Sequence, residues 1–529
     1  VNRRDVWGAR RLLQSENGSI WLRRILPPAL LICSLAIFLT YLVPEWQAFL
    51  TSDVFVFANG WDEEFYLSRQ GILAVRNSPG FFPLYLNLAL QYLGLSGALQ
   101  NLIFDTVLPP ATAWLVFLTL RLLNVETIRA IAYATLICFG SVLFNANNPL
   151  VSDILGETRT ATIWFMAAWE VYASILRTPN PEIPFFLVAC AVYGYVRFNR
   201  WWILFLPLPL LYYHTAIAYA VILVLACSYH LLRSRYFPRT MHALLAAAAL
   251  TMILMSAGLV TLTWLQGLYQ PDHPWRQETY IFNLTRQPQM PVGLIAMAIV
   301  LFGGVRYGLL RIEARMIVPI AVLAIASLVA VNLHIATGFM LSQKNYYDYG
   351  LSIFFALLVV ITIESIPFNV TRSTVLAGTL VVIALFSYRS QQIWFRNGML
   401  LSRELAPSIE RLRADPVHAV IPKIELSAHV AFSTPLLISP PLSYLYNYEK
   451  MIDQCAQLPS LMTNALAFAT ARLPADSKEL AELKKSWETI ERTRKRYEKP
   501  QPKPDQSYCR DAGLEKTDFY FAGPGAPKP

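Results

Sequence analysis

Three consecutive carboxylates stand in the run Asn59-Gly60-Trp61-Asp62-Glu63-Glu64-Phe65-Tyr66-Leu67, shortly after the first stretch apolar enough to cross a bilayer. Acids beside lipid cost free energy, so a charge-poor chain that groups three of them invites a chemical explanation. A carboxylate partly withdrawn from water holds its proton more tightly, which suits a general base working near neutral pH. Helix capping accounts for the same residues without chemistry. Asn59 would cap a helix whose first turn holds Asp62, Glu63 and Glu64, where negative charge meets the positive end of the dipole.

Stepping outward from this cluster, the 529 residues are 55% hydrophobic and 15% charged, with a mean hydropathy of +0.41. A soluble chain carries nearer to about 25% charge. Apolar runs of membrane-spanning length recur from Leu26 to about Tyr388. The expected fold is therefore an all-α polytopic membrane protein, a helical bundle of about 11 spans plus one broken or re-entrant segment. A small α/β extramembrane domain would follow at the C-terminus. The net charge of +10 lies in loops where topology uses it, and nothing calls for a nucleic-acid partner.

Arg3, Arg4, Arg10, Arg11, Arg23 and Arg24 precede the first span, near 26–43, and basic flanks stay cytoplasmic. The N-terminal segment 1–24 is therefore expected inside, in a protein integral to the cytoplasmic (inner) membrane. The span is expected to stay in place rather than be cleaved as a signal. The first outer loop, 44–105, holds two arginines against six acids. Within it, residues 82–104 carry Asn87, Gln91, Gly94, Ala98, Asn101 and Asp105 at helical spacing, which predicts an amphipathic helix lying in the outer interface.

Further spans are expected near 106–123, 128–144, 160–176, 215–232, 241–265, 292–310, 316–334, 349–366 and 374–388. Their inside loops hold Arg121 and Arg129; Arg177; Arg233, Arg235 and Arg239; Arg306, Arg311 and Arg315; and Arg372. Two shorter apolar pieces, 183–196 and 201–213, flank Arg197 and Arg200. Pro207 and Pro209 mark the second as the irregular one. Together these spans make a membrane domain of 25–390.

An outer-face C-terminal domain, 391–499, is expected to contain short strands at 417–421 and 429–432 and helices at 460–472 and 476–499. Glu488/Arg492 and Glu491/Lys495 support the last helix. The Pro-rich tail from 500 to 529 is expected to be poorly ordered. Cys33, Cys138, Cys190 and Cys227 read as inert small hydrophobes in apolar segments. Cys455 and Cys509 are equally compatible with a disulfide or with free thiols. The chain has no P-loop, no dinucleotide fingerprint, no nucleophile elbow and no internal repeat.

Asp62-Glu63-x-x-Tyr66, about twenty residues beyond the first span, is followed by Ser78-Pro79-Gly80-Phe81-Phe82-Pro83-Leu84-Tyr85 and a span closing on Arg121-Leu122-Leu123. This order resembles the GT-C superfamily of polytopic membrane glycosyltransferases, of the protein-mannosyltransferase and aminoarabinose-transferase type. The resemblance is clearest over residues 25–125, looser to 366 and absent beyond. It implies a GT-C-like fold and a sugar donor linked to a polyprenyl phosphate, undecaprenyl or dolichyl. The acceptor hydroxyl or amine would belong to a glycan, lipid or protein at the outer face. It also implies that Asp62 or Glu63 is the catalytic base, since these occupy the matching acidic pair. Glu64 departs from the plain pair and is a candidate second acid or acceptor contact.

Asp153 and Glu157, spaced i,i+4, resemble the second acidic site of such enzymes. They could position acceptor hydroxyls, or hold a divalent metal (Mg or Mn) with Asp62. A salt bridge to Arg159 at a helix start explains them as well. In Lys344-Asn345-Tyr346-Tyr347-Asp348-Tyr349, a cation beside hydroxyl donors suits the charge that develops on a phosphate leaving group. Lys344, Tyr346 and Tyr347 are thus candidate donor-phosphate contacts, joined by His214, Arg159 and Arg276. Trp61 and Trp275 suit stacking on a sugar ring. Interfacial aromatics also serve as plain membrane anchors, and a lone histidine is more often structural. Two rival functions are a lipid or polysaccharide transporter or flippase, which would bury acids within its spans, and an O-antigen ligase or polymerase.

Overall fold

The computed structural model describes residues 16–51, 82–140, 142, 182–211, 292–311, 352–414, 418–420, 458–477 and 519–521, with isolated positions in 219–224 and 480–488. It is dominated by helices: α1 Glu16–Thr51, α2 Phe82–Tyr92, α3 Gly97–Leu122, α4 Thr127–Phe139, α5 Glu182–Phe198, α6 Val292–Arg306, α7 Ser352–Glu364, α8 Asn369–Ala414 and α9 Leu458–Thr470. Among the described residues three stretches are long and apolar enough to cross a membrane, Leu22–Leu50, Gly97–Leu122 and Asn369–Arg389. A helical protein carrying such stretches is a membrane protein.

The core is built where α1, α3, α4, α7 and α8 meet. Ile37, Tyr41, Tyr133, Leu136, Phe139, Leu376, Leu380 and Ile383 are buried together there. Tyr41 stacks on Phe139 at 5.0 Å between ring centroids, and Phe38 meets the same ring edge-on at 4.9 Å. Both are favoured aromatic arrangements. The hydroxyls of Tyr41 and Ser387 share a buried hydrogen bond of 3.0 Å. Because Leu30 and Ile37 share a core with Leu376 and Leu380, this bond fixes α1 and α8 as parallel neighbours. In lipid, where apolar burial gains little between helices, such packing and polar contacts set the register.

At one end of the bundle a carboxylate joins three helices. Glu364, the last residue of α7, accepts 2.9 Å and 2.7 Å bonds from Arg129 of α4 and Arg372 of α8. Arg372 also donates to the Ile366 carbonyl, closing the α7–α8 turn. The backbone N–H of Arg311, just past α6, donates to the Ser365 carbonyl at 2.7 Å. Three of the arginine-bearing turns expected on one side, at 121–129, 306–311 and 366–372, thus reach one end of the molecule.

Segment 82–104 differs from expectation. It is not one interfacial helix: α2 ends at Tyr92, and the spanning helix α3 begins at Gly97 rather than near 106. The break is local chemistry. Gly94, at φ 85°, donates to the Gln91 carbonyl while Leu95 donates to that of Leu90, a left-handed helix stop. The Ser96 side chain then accepts from the Leu99 N–H to start α3. Pro109 and Pro110 lie inside α3 without ending it.

The second apolar piece is irregular, as its prolines suggested. After α5, Asn199 turns the chain at φ 50°, and residues Trp201–Phe205 and Leu208–Leu210 form only 3₁₀ turns. These fold back along α5: a Cβ added to Gly194 would lie 3.1 Å from Ile203, and Leu204, Leu208 and Leu211 pack with Val188 and Val192. Tyr219 seals the hairpin by donating to the Leu204 carbonyl at 2.8 Å.

The last membrane-length stretch ends at Arg389, next to the expected Tyr388, but its helix does not stop there. Helix α8 continues to Ala414, so residues 390–414 extend it by about 37 Å. Beyond it, β1 His418–Val420 pairs in parallel with β2 Phe519–Phe521. The expected strand near 417–421 is present, and the tail expected to be unordered supplies its partner. Helix α9 matches the helix expected from 460. The strand at 429–432, Cys227, Cys455, Cys509 and the spans expected at 160–176, 241–265 and 316–334 lie outside the described residues.

Glu364 offers a direct test. Its two short, part-buried bonds to arginine predict that Glu364→Gln lowers stability by about 1.5–3 kcal/mol. Glu126→Gln, at an exposed pair with Arg129 of 3.8 Å, should cost about 1 kcal/mol through its helix-capping bonds. Unfolding midpoints in lipid discs read the difference; equal losses would show that the Glu364 junction does not hold the bundle.

Candidate functional site

The acidic run lies in residues 52–81, which connect Thr51 to Phe82. Both attachment points belong to the end of the bundle away from Glu364. Helix α1 runs parallel to α8, so its C-terminus points away from the Arg372 turn. Helix α3 ends beside α4 at the arginine end, which carries its N-terminus, and α2 before it, to the opposite end.

That opposite end buries polar side chains. Asn87 of α2 and Gln100, Asn101 and Asp105 of α3 are each at most 2% exposed. Asn101 Nδ2 donates to Asp105 Oδ2 at 2.9 Å, as i,i+4 spacing allows, and Gln100 Nε2 donates to the Leu95 carbonyl at 2.9 Å. Among the described residues these bonds leave three amide oxygens unused, Oδ1 of Asn87 and Asn101 and Oε1 of Gln100, with the Asn87 amide nitrogen. Glu45, near the end of α1, is 5% exposed and is engaged in an interaction of its own. The stripe containing Asn87, Asn101 and Asp105 was legible as a helical pattern, but its direction was not. The polar groups face inward, while Tyr92 and Leu93 are exposed. Lipid reverses the usual meaning of an amphipathic face.

Buried amides with unused capacity suit a hydroxyl-bearing or cationic guest, since an unmet buried polar group otherwise costs free energy. Gln100 was missed by sequence reasoning because it lies off the i,i+4 stripe, one position before Asn101. Glu182, fully buried at the start of α5, was missed because it heads an otherwise apolar run. Among the described residues no group of three His, Cys, Asp or Glu is arranged to hold a metal.

The sequence-derived candidates Trp61, Asp62, Glu63, Glu64, Asp153, Glu157, Arg159, His214, Trp275, Arg276, Lys344, Tyr346 and Tyr347 all lie outside the described residues. Compared with known proteins, the chain matches no family model, and no curated protein matches it significantly.

The unused amide of Asn87 makes a signed prediction. Asn87→Leu removes a buried polar group of similar size, so the ligand-free protein should gain about 1–3 kcal/mol of stability. A lowered unfolding midpoint would show that the amide is already satisfied.

Proposed function

We propose that the protein is a GT-C-type membrane glycosyltransferase that moves a sugar from a polyprenyl-phosphate carrier to an acceptor hydroxyl or amine. The observation that carries this reading is the Asp62-Glu63-x-x-Tyr66 run in a loop tethered at both ends to the side of the bundle opposite the arginine turns. Basic turns favour the cytoplasmic side, so the acidic loop would work at the outer face, periplasmic where there are two membranes. The bundle would comprise about 11 spans, with the helix–3₁₀ hairpin at 182–211 as its broken element. Helix α8 would lead into an outer-face α/β domain built around β1, β2 and α9.

In this reaction the acceptor oxygen or nitrogen attacks C1 of the sugar, and the C1–O bond to the lipid phosphate breaks. Asp62 or Glu63 takes the acceptor proton, and the phosphate leaves with the bonding pair. Glu64, Asp153 and Glu157 would orient the acceptor. Lys344, Tyr346, Tyr347, His214, Arg159 and Arg276 would meet the phosphate, and Trp61 or Trp275 would lie against the sugar ring. The residues fit a divalent metal only in so far as Asp62, Asp153 and Glu157 supply hard oxygen ligands; no step above needs one.

A second function, transport or flipping of a lipid-linked substrate, is favoured by one observation. Asp105 is buried well inside the spanning helix α3, where a transporter would place an acid.

Membranes containing the full chain, incubated with labelled polyprenyl-phosphate sugar, separate the two. Transfer predicts loss of label from the lipid, and Asp62→Asn or Glu63→Gln should slow it by about 10²–10⁴-fold without changing insertion. Movement of intact labelled lipid across the bilayer, unaffected by both variants, would select the transporter instead. If Lys344 holds the phosphate, Lys344→Ala should weaken donor binding several-fold more than acceptor binding. Equal losses would remove it from the donor site.

A further inference from the structure

Among the described residues, the arginine end of the bundle carries more positive charge than its carboxylates balance. Arg129 and Arg372 are committed to Glu364, and Glu126 caps α4 beside Arg129. Arg306, in the last turn of α6, and Arg311 are exposed, and among the described residues neither meets a carboxylate. The Arg311 bond to Ser365 holds that pair at the level of the α7–α8 turn. Arg23 and Arg24 of α1 are exposed as well. Counting back from the Tyr41–Ser387 bond along two parallel helices brings them level with Asn369 and Val370, the start of α8. Among the described residues none of these four guanidinium groups meets a carboxylate, and all four share one level of the molecule.

Their neighbours are apolar and outward-facing. Leu22, Ile25, Leu122, Leu123, Tyr307 and Leu309 are exposed at this end. A soluble anion would gain nothing from those side chains. A phospholipid would, because its acyl chains cover the apolar residues while its phosphate meets the guanidinium groups above them. Arginine also suits phosphate by offering paired N–H donors in one plane.

From this juxtaposition we propose that Arg23, Arg24, Arg306 and Arg311 form a docking surface for the headgroups of anionic phospholipids, independent of any sugar-transfer site. Arg129 and Arg372 take no part, because Glu364 occupies them. The surface selects lipid by charge, so its preference weakens as ionic strength rises.

The test reconstitutes the full chain in phosphatidylcholine vesicles containing spin-labelled phosphatidylglycerol or spin-labelled phosphatidylcholine, and compares how strongly each label is immobilised. The wild-type chain should favour phosphatidylglycerol. The quadruple variant Arg23→Gln, Arg24→Gln, Arg306→Gln, Arg311→Gln should reduce that preference by about tenfold. The four corresponding lysine substitutions should restore most of it, which also guards against a folding defect in the glutamine variant. Arg129→Gln, which disturbs the Glu364 junction, should leave the preference in place in whatever fraction inserts. The proposal is overturned if the quadruple glutamine variant keeps the wild-type preference, or if Arg129→Gln removes it as fully. It is equally overturned if soluble pyrophosphate abolishes the preference at low concentration, which would mark a site for a free anion.

Discussion

Glu364 is the point at which this bundle is tied. A carboxylate at the end of an apolar helix is costly unless its charge is met, and here two arginines from different helices meet it with short bonds. The consequence is topological as well as energetic. Arg129 brings the start of α4, Arg372 the start of α8, and the neighbouring Ser365 carbonyl the end of α6. Residues more than two hundred positions apart in sequence share one junction, and the helices leaving it must run in set directions.

Those directions give the other end its character. With α1 and α8 parallel and α3 antiparallel to α4, the loop carrying Asp62, Glu63 and Glu64 is attached away from the arginines. The same end buries the amides of Asn87, Gln100 and Asn101 next to the Asp105 carboxylate. One end of the bundle joins Glu364 to Arg129 and Arg372 and offers its remaining arginines to lipid headgroups. The other keeps polar capacity unspent inside. A carrier-linked sugar, with a charged phosphate and several hydroxyls, would make use of that capacity.

Much of the helical framework could be read directly from apolar runs and arginine positions. The first span, the shared end of the arginine turns at 121–129, 306–311 and 366–372, and the irregular piece after Asn199 all follow from hydropathy, basic flanks and proline placement. The reading failed where a local signal competed with a general one. The helical spacing of polar and small residues suggested one helix through 82–104, yet Gly94 and Ser96 together stop one helix and start another. The membrane-length stretch ends at Arg389 as expected, yet nothing there ends a helix, and α8 runs on to Ala414. The Pro-rich tail hid Phe519–Phe521, too short for a strand signal until His418–Val420 paired with it.

The amino-acid order determined that this chain is membrane-borne, that the run Asp62-Glu63-Glu64 precedes the apolar helix α3 and that three of its basic turns share one end, because hydrophobicity and charge act on each segment alone. Only the tertiary structure decided that Glu364 would join Arg129 to Arg372, that Tyr41 would find Ser387, and that the polar stripe of α2 and α3 would face inward. Those outcomes depend on which helix lies next to which, and a side chain's cost in lipid is set by its neighbours rather than by its position in the chain.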